Sequence, residues 1–311
     1  MGRESMYFEG AEKRLSLTLE SACPSLRALG DAYWRRALAK SNTEILSKLS
    51  SEQCDAYLLS ESSLFIWHDS LVLITCGNTR LIETVVNLVE SLGPKQILSL
   101  SYQRKSEILA SLQSSRFEED LARLRELLSG DAYRMGHLDG HYHQLFLSGQ
   151  VGQLKPTQVM QMYHIRGDLA DYLRSDRQST EGIASRLNLT QLLSGFHLDT
   201  HLFSPLGYSL NALRGQDYFT LHITPQEMSS YVSLETNLSL GDGLRAIVVE
   251  LLNRLNPVSW DIAGFDAEAP AYCAEQYSLQ ARGELALADG QGLYIKHYKQ
   301  RDCEQLLPVA L

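Results

Sequence analysis

The run Ala56-Tyr57-Leu58-Leu59-Ser60-Glu61-Ser62-Ser63-Leu64-Phe65 sets three hydroxyls and a carboxylate between two β-type stretches. A hydroxyl next to a peptide carbonyl can act as a nucleophile when a base and a proton donor stand near it. Residues of those types follow: Cys76 in Thr75-Cys76-Gly77, Ser209 in Gly207-Tyr208-Ser209, and His222 in His222-Ile223-Thr224-Pro225. Near the start, Phe8-Glu9-Gly10-Ala11-Glu12 carries an aromatic ring and two carboxylates. Each of these has a purely structural reading as well: a hairpin connection, a small buried thiol, a strand-end hydroxyl, a core imidazole, a core ring, a solvated acidic start. A second cluster, His137, His141 and His143, surrounds Asp139-Gly140, a strong hairpin-turn signal. His141 and His143 would share a face there, but no carboxylate or cysteine of suitable spacing completes a ligand set, so no metal is expected.

The elements that must position these residues are mostly short strands. Runs rich in β-formers cover Leu15 to Leu19, Asp55 to Leu59, Ser63 to Trp67, Leu71 to Thr75, Ile97 to Tyr102 and Tyr142 to Leu147. They resume at His197 to Phe203, Tyr208 to Leu213, Tyr218 to Thr224, Tyr231 to Glu235 and Gly292 to Tyr298. Helical periodicity marks Asp31 to Ala39, Thr79 to Leu92, Phe117 to Leu128, Thr157 to Leu173 and Gly241 to Leu255. The stretch from Leu73 to Pro94 is echoed by the stretch from Val232 to Pro257, each reading as strand, polar turn, amphipathic helix and proline stop. The expected fold is α+β: a four-layer α/β/β/α sandwich of two mainly antiparallel sheets, built from two related halves with helices on the outer faces. No long linker separates the halves, so residues 1–311 are expected to form a single domain, with the stretch beyond about Asp261 completing the second sheet.

Composition narrows the partners. With 44% apolar and 21% charged residues the chain is a folding sequence. Its net charge of −9 and isoelectric point near 5.5 disfavour nucleic acid or an anionic membrane surface. Met1 to Met6 lack the apolar core of a signal peptide, and no run reaches membrane-spanning length. Five scattered cysteines without a CxxC pair suggest neither a disulfide frame nor zinc. A cytoplasmic, thiol-reduced protein is the expectation.

Taken together and in order, Phe8 to Glu12, Leu59 to Ser63, Thr75 to Gly77, Gly207 to Asn211, and His222 to Pro225 followed by Tyr231 to Asn237 resemble the motifs of the eukaryotic-type S-adenosylmethionine decarboxylases. The match runs from about residue 7 to about residue 255, and five motifs in register are far more specific than any one of them. The resemblance implies a proenzyme that cuts itself between Glu61 and Ser62 into residues 1–61 and 62–311. In that chemistry Ser62 Oγ attacks the Glu61 carbonyl, the Ser62 α-proton is lost, and hydrolysis leaves a pyruvoyl group, a ketone that forms a Schiff base with a substrate amine.

Roles follow by the same resemblance. His222 takes the α-proton, Ser209 supports the ester, Cys76 returns a proton to the product, and Glu12 acts chiefly in processing. Phe8 and Phe203 hold the adenine of S-adenosylmethionine between them, Glu9 faces its positive groups, and Leu59 borders the substrate. The family's ribose-binding Glu is replaced by Gln226, followed by Glu227. An amide has one acceptor oxygen where a carboxylate has two, so weaker or rearranged ribose binding is expected. Thr157, Gln161 and Ile74 stand where putrescine-activated members carry charged groups, although Glu235 remains, so no putrescine activation is expected. Two other functions fit less well: a pyruvoyl decarboxylase of another amino acid, suggested by Gln226, and a non-catalytic regulatory paralogue, which would usually lack Ser62. A monomer or homodimer of cut units is compatible with the sequence.

Overall fold

The computed structural model describes residues 8–138, 140–239, 241–266, 275–287 and 292–302. The first half runs β1 (Lys13–Leu19), α1 (Gly30–Ala39), β2 (Ile45–Ser50), β3 (Asp55–Leu59), β4 (Ser62–Ile66), β5 (Ser70–Thr75), α2 (Leu81–Leu92), β6 (Ile97–Lys105), α3 (Phe117–Leu127), β7 (Gly130–Gly136) and β8 (Tyr142–Gly149). The second runs β9 (Thr157–Tyr163), α4 (Asp168–Leu173), α5 (Thr180–Arg186), α6 (Leu189–Leu192), β10 (His197–Leu202), β11 (Tyr208–Arg214), β12 (Asp217–Thr224), β13 (Tyr231–Thr236), α7 (Asp242–Leu255), β14 (Ser259–Asp266), β15 (Tyr277–Ala286) and β16 (Gly292–Gln300).

Each half closes into one eight-stranded antiparallel sheet, ordered β2-β3-β4-β5-β1-β6-β8-β7 and β10-β11-β12-β13-β9-β14-β16-β15. The two orders are the same permutation, with β9 in the place of β1 and α7 in the place of α2. The internal echo between Leu73 to Pro94 and Val232 to Pro257 is therefore β5-α2 set against β13-α7, and the expected α/β/β/α sandwich of two halves is found. The stretch after Asp261 does complete the second sheet, as β14, β15 and β16.

Strand alternation sends one set of side chains to the helices and the other to the facing sheet. Leu15, Leu17, Tyr57, Leu64 and Leu73 pack with Trp34, Leu38, Leu81 and Leu88 of the first helix layer. Met160, Met162, Val232 and Leu234 pack with Leu244, Val248 and Leu251 in the second. Between the sheets an apolar cluster around Phe65, Trp67, Ile74 and Tyr218 lies at one end and another around Leu145, Leu147, Phe265 and Leu293 at the other. The middle of this seam is polar: Arg14, Lys105, Gln161, Ser233, Glu235 and Asp261 are all buried. Arg14 pairs with Glu235 at 2.8 Å and Lys105 with Asp261 at 2.7 Å, so each buried charge meets its counter-charge on the opposite sheet. Removing one member of such a pair typically costs about 3–5 kcal/mol, because the other is left buried and unpaired.

One sequence expectation fails outright. Thr157 to Leu173 is not one helix but β9 followed by α4. In β9 the methionines Met160 and Met162 face the helices while Thr157 and Gln161 face the polar seam, and the alternating pattern mimics an amphipathic helix that continues into α4. The hairpin expected around Asp139-Gly140 is present as β7-β8, pairing Gly136 with Tyr142, although Asp139 itself lies outside the described residues. His143 is buried beside Lys105 and Asp261, and no group of metal-binding side chains occurs among the described residues.

Candidate active site

Strands β3 and β4 pair with Leu59 opposite Ser62, which leaves Ser60 and Glu61 as a two-residue connection. Ser62 enters β4 at a φ of +128°, a conformation that side chains rarely adopt and that surrounding structure must enforce. It is buried, and its Oγ has no hydrogen-bond partner among the described residues. The Glu61 carbonyl, by contrast, is gripped. The backbone N–H of Cys76 donates to its oxygen at 3.0 Å and the Cys76 thiol approaches the same oxygen at 3.5 Å.

The grip comes from register and from glycine. Thr75, the last residue of β5, pairs with Ser62, so the next peptide lies against the Glu61-Ser62 bond. Gly77 then turns away at a φ of +62°, and a Cβ there would stand 3.0 Å from Glu61 Oε2 and 3.0 Å from the Phe8 ring. Only glycine meets both demands. Its N–H donates to the Glu9 carbonyl at 2.8 Å and its own carbonyl accepts from Lys13 Nζ at 3.0 Å, which ties the turn to the N-terminal segment.

From the second sheet, β11 and β12 pair Ser209 with His222 and Asn211 with Thr220. All four face the first sheet at Ser63. Ser209 Oγ lies 2.7 Å from His222 Nδ1, while Thr220 Oγ1 and Ser63 Oγ lie 2.8 and 3.2 Å from Nε2. Ser63, Thr220 and Asn211 were not among the residues read as functional. The signal for them was Ser209-x-Asn211 and Thr220-x-His222, two pairs of polar residues at the spacing that shares a strand face.

Burial sets the protonation states. It pushes the His222 imidazole down to about 3, so the ring is neutral at physiological pH and able to accept a proton. Burial, aided by the nearby Glu61 and Glu12 carboxyls, holds the Cys76 thiol well above its usual range, which suits a proton donor and not a nucleophile. Glu61 is raised to about 7 by burial, opposed by Lys13. Glu12 is raised to about 8, again by burial, with the Ser233 hydrogen bond pulling back and the charge of Glu235 adding. Its carboxyl accepts from Ser233 of β13 and so bridges the two sheets.

The residues read as substrate-binding fall into two groups. Phe8 and Gln226 are brought to the processing residue Glu61 and the catalytic Cys76: the Phe8 ring packs on Gly77, and Gln226 Oε1 accepts from the Phe8 backbone N–H at 3.3 Å and from Ser229 Oγ at 3.2 Å. Phe203 stands on the second half, its N–H donating to Gly207 and its ring edge-on to His201 at 4.5 Å. Glu9 accepts from the backbone N–H groups of Ala11, Ile108 and Leu109 at 3.1, 2.8 and 3.1 Å and pins that loop to the N-terminal segment. Leu59 sends its side chain into the helix-facing core, so only its backbone borders the turn.

Two eight-stranded sheets stacked face to face under helices define a class already known from a crystal structure of Trypanosoma brucei AdoMetDC-delta26 as a monomer. That structure matches with a TM-score of 0.60 over 77% of this chain and 99% of that one, at 22% identity. The family model for adenosylmethionine decarboxylase matches residues 5–306. S-adenosylmethionine decarboxylase proenzymes are similar across eukaryotes: that of Leishmania donovani is 32% identical over 75% of this chain and 67% of its own length, and that of Xenopus laevis 30% identical over 75% and 76%. The Drosophila melanogaster proenzyme is 25% identical over 96% of this chain and 92% of its own. The chain belongs to the adenosylmethionine decarboxylase family, on the branch of the eukaryotic proenzymes.

Proposed function

We propose that the chain cuts itself between Glu61 and Ser62, converts Ser62 to a pyruvoyl group, and uses it to decarboxylate S-adenosylmethionine to the aminopropyl donor for spermidine and spermine synthesis. The observation that carries this reading is the Glu61-Ser62 peptide itself. Its carbonyl is held by the Cys76 N–H, and the adjoining Ser62 has a strained backbone and a buried, unengaged Oγ. An N–H donor on that oxygen is placed to stabilise the negative charge that develops when Oγ adds to the carbonyl carbon. Collapse breaks the peptide C–N bond and leaves an ester between Glu61 and Ser62. His222 then takes the Ser62 α-proton while the electron pair expels the Glu61 carboxylate, and water releases ammonia from the dehydroalanine that remains.

Where Ser62 stood, the pyruvoyl group supplies a ketone that receives the electrons left by departing CO₂. Around it Cys76 keeps a proton on its thiol for the substrate α-carbon, Phe8 offers a ring face for the adenine, and Gln226 meets the ribose. Residues 1–311 act as one domain, cut into chains 1–61 and 62–311. A cytoplasmic location and a monomer or homodimer of cut units complete the reading. No helix among the described residues is long and apolar enough to cross a membrane. Intact mass of the purified protein, followed by CO₂ release from S-adenosylmethionine, tests cofactor formation and substrate together. A single uncut chain with full activity would end the pyruvoyl reading.

Cys76→Ala separates cutting from turnover. The backbone N–H that grips the Glu61 carbonyl survives the substitution, so cleavage should stay within about tenfold of normal, while loss of the proton donor should lower decarboxylation by on the order of 10²-fold. Equal loss of both would move Cys76 out of the donor role.

Putrescine should leave cleavage and decarboxylation rates unchanged at saturating substrate. Glu235, which remains of the charged groups that putrescine-activated members carry, already accepts from Arg14 and from Tyr218. Thr157 accepts from the same guanidinium at 3.4 Å, and Ile74 lies in the apolar cluster. A several-fold stimulation would require another site.

Gln226→Glu should lower the Michaelis constant for S-adenosylmethionine by roughly 5- to 30-fold with little change in maximal rate. The amide-to-carboxylate change makes a neutral hydrogen bond to the ribose charge-assisted, worth about 1 to 2 kcal/mol. Glu227 is exposed, so Glu227→Ala should be silent. A weaker Michaelis constant in Gln226→Glu, with wild type preferring a plain amino acid, would favour a different substrate.

A further inference from the structure

We infer that Asn211 is a positioning residue that fixes His222 as the Nε2–H tautomer, so that the bare, basic nitrogen is Nδ1 on the Ser209 side. The inference rests on the reading that His222 takes the Ser62 α-proton. It follows from counting protons in a closed cluster. Ser63 Oγ donates to Asn211 Oδ1 at 2.6 Å and Thr220 Oγ1 donates to the same oxygen at 3.0 Å. A hydroxyl has one proton, and an amide oxygen has none to return. With both protons committed, the two hydroxyls present only lone pairs to His222 Nε2, 3.2 and 2.8 Å away. Nε2 must therefore carry the hydrogen. A neutral imidazole has one N–H, so Nδ1 is bare and Ser209 Oγ, 2.7 Å away, donates to it.

The cluster is sealed from water that would blur this assignment. Ser63 and Asn211 are 0% exposed and Thr220 is 1% exposed. Asn211 Nδ2 is buried without a hydrogen-bond partner among the described residues, so the amide is engaged through its oxygen alone. Turning the amide over would reverse the logic. Its NH₂ would then donate to both hydroxyls, their protons would turn to Nε2, and the only N–H would move to Nδ1.

The tautomer decides whether the ring can act as a base on the Ser209 side. In the Nε2–H form, the Ser62 α-proton goes to Nδ1, the ring becomes an imidazolium, and its Nε2–H stays bonded to Thr220 and Ser63. The electron pair of the C–H bond forms the dehydroalanine double bond as the ester C–O bond breaks and Glu61 leaves as a carboxylate. In the Nδ1–H form the lone pair faces the Asn211 side and this transfer has no acceptor.

The test uses the full chain carrying Ser62→Ala, which holds the uncut state, with ¹⁵N-labelled histidine. Two-bond correlation of ring C–H protons with ring nitrogens distinguishes the tautomers, and the His222 signal is found by its loss in a second sample carrying His222→Asn. Nε2–H is expected; Nδ1–H would overturn the inference whatever the variants do. In an otherwise wild-type chain, Asn211→Leu should slow cutting by on the order of 10²-fold or more and accumulate an ester that hydroxylamine cleaves. Asn211→Asp, which restores an acceptor, should recover cutting to within about tenfold of normal. Cutting of Asn211→Leu at the wild-type rate would overturn the inference. If that variant fails to fold, the tautomer in the Asn211-bearing chain still decides it. A wild-type chain that never cuts would sink the processing reading instead, and the tautomer measurement would remain valid.

Discussion

Ser62→Ala should leave one chain of 311 residues with no decarboxylase activity, because in the proposed chemistry the Ser62 oxygen both begins the rearrangement and departs with the Glu61 carboxylate, and without that departure no ketone forms. The substitution removes one oxygen and leaves the grip on the turn intact. The Cys76 N–H still meets the Glu61 carbonyl, and the pairing of Leu59 with position 62 and of position 62 with Thr75 uses backbone only. The Oγ being removed accepts and donates nothing among the described residues, so little stability should be lost with it. Near-wild-type stability combined with complete loss of cutting separates a chemical role from a folding one. Intact mass and thermal unfolding measured on the same sample decide the matter. A Ser62→Ala chain that still divides after residue 61 would show that the attacking group lies elsewhere.

His222→Ala should stop one step later, with the chain held as an ester. Formation of the ester needs the Ser62 oxygen and a stabilised Glu61 carbonyl, neither of which depends on the ring; elimination needs a base at the α-proton. General-base contributions of this kind are worth about 10² to 10⁴ in rate, so spontaneous cutting over hours should be almost absent. Hydroxylamine, which cleaves esters and not peptides, should convert the stalled chain to two fragments within a period that leaves Ser62→Ala whole. The His222 ring, held near a pKa of 3 by burial, needs no deprotonation before it can act, so lowering the pH from 8 to 5.5 should not slow wild-type cutting through this group. A His222→Ala chain resistant to hydroxylamine would mean that the ring is needed for the attack itself.

The sequence shows the general plan of the fold because the helix-facing side of most strands is mainly apolar, and the positions of β3, β4, β5, β11, β12 and β13 can be read from that face. It hides the rest where the opposite side meets the polar seam. Thr157 and Gln161 imitate the solvent face of a helix, and β2, β7, β14 and β15, edge strands or strands beside the seam, carry too few β-type runs to stand out. In the site, Ser62, Cys76, Ser209 and His222 are legible as ordered motifs. What no motif contains is which residues meet across the gap between sheets. The contacts of Ser63 with Asn211 and of Arg14 with Glu235 join positions more than a hundred residues apart. Glu9 is legible as an acid but not as the anchor of residues 108 and 109, since its partners there are backbone groups of no particular type.

Strand β1 lies in the middle of the first sheet, bonded on one side to β5 and on the other to β6. Severing the chain after Glu61 would therefore leave a short polypeptide threaded through the centre of a longer one, with β3 still zipped to β4. Contacts that form within one molecule on the first occasion become encounters between two, whose rate depends on concentration. The mature enzyme would then have an assembly history that it cannot repeat: heated past its transition, the two pieces would drift apart, and cooling would return precipitate or remnants lacking residues 1–61. Its working lifetime would be governed by how slowly the first sheet opens, a barrier crossed in one direction only.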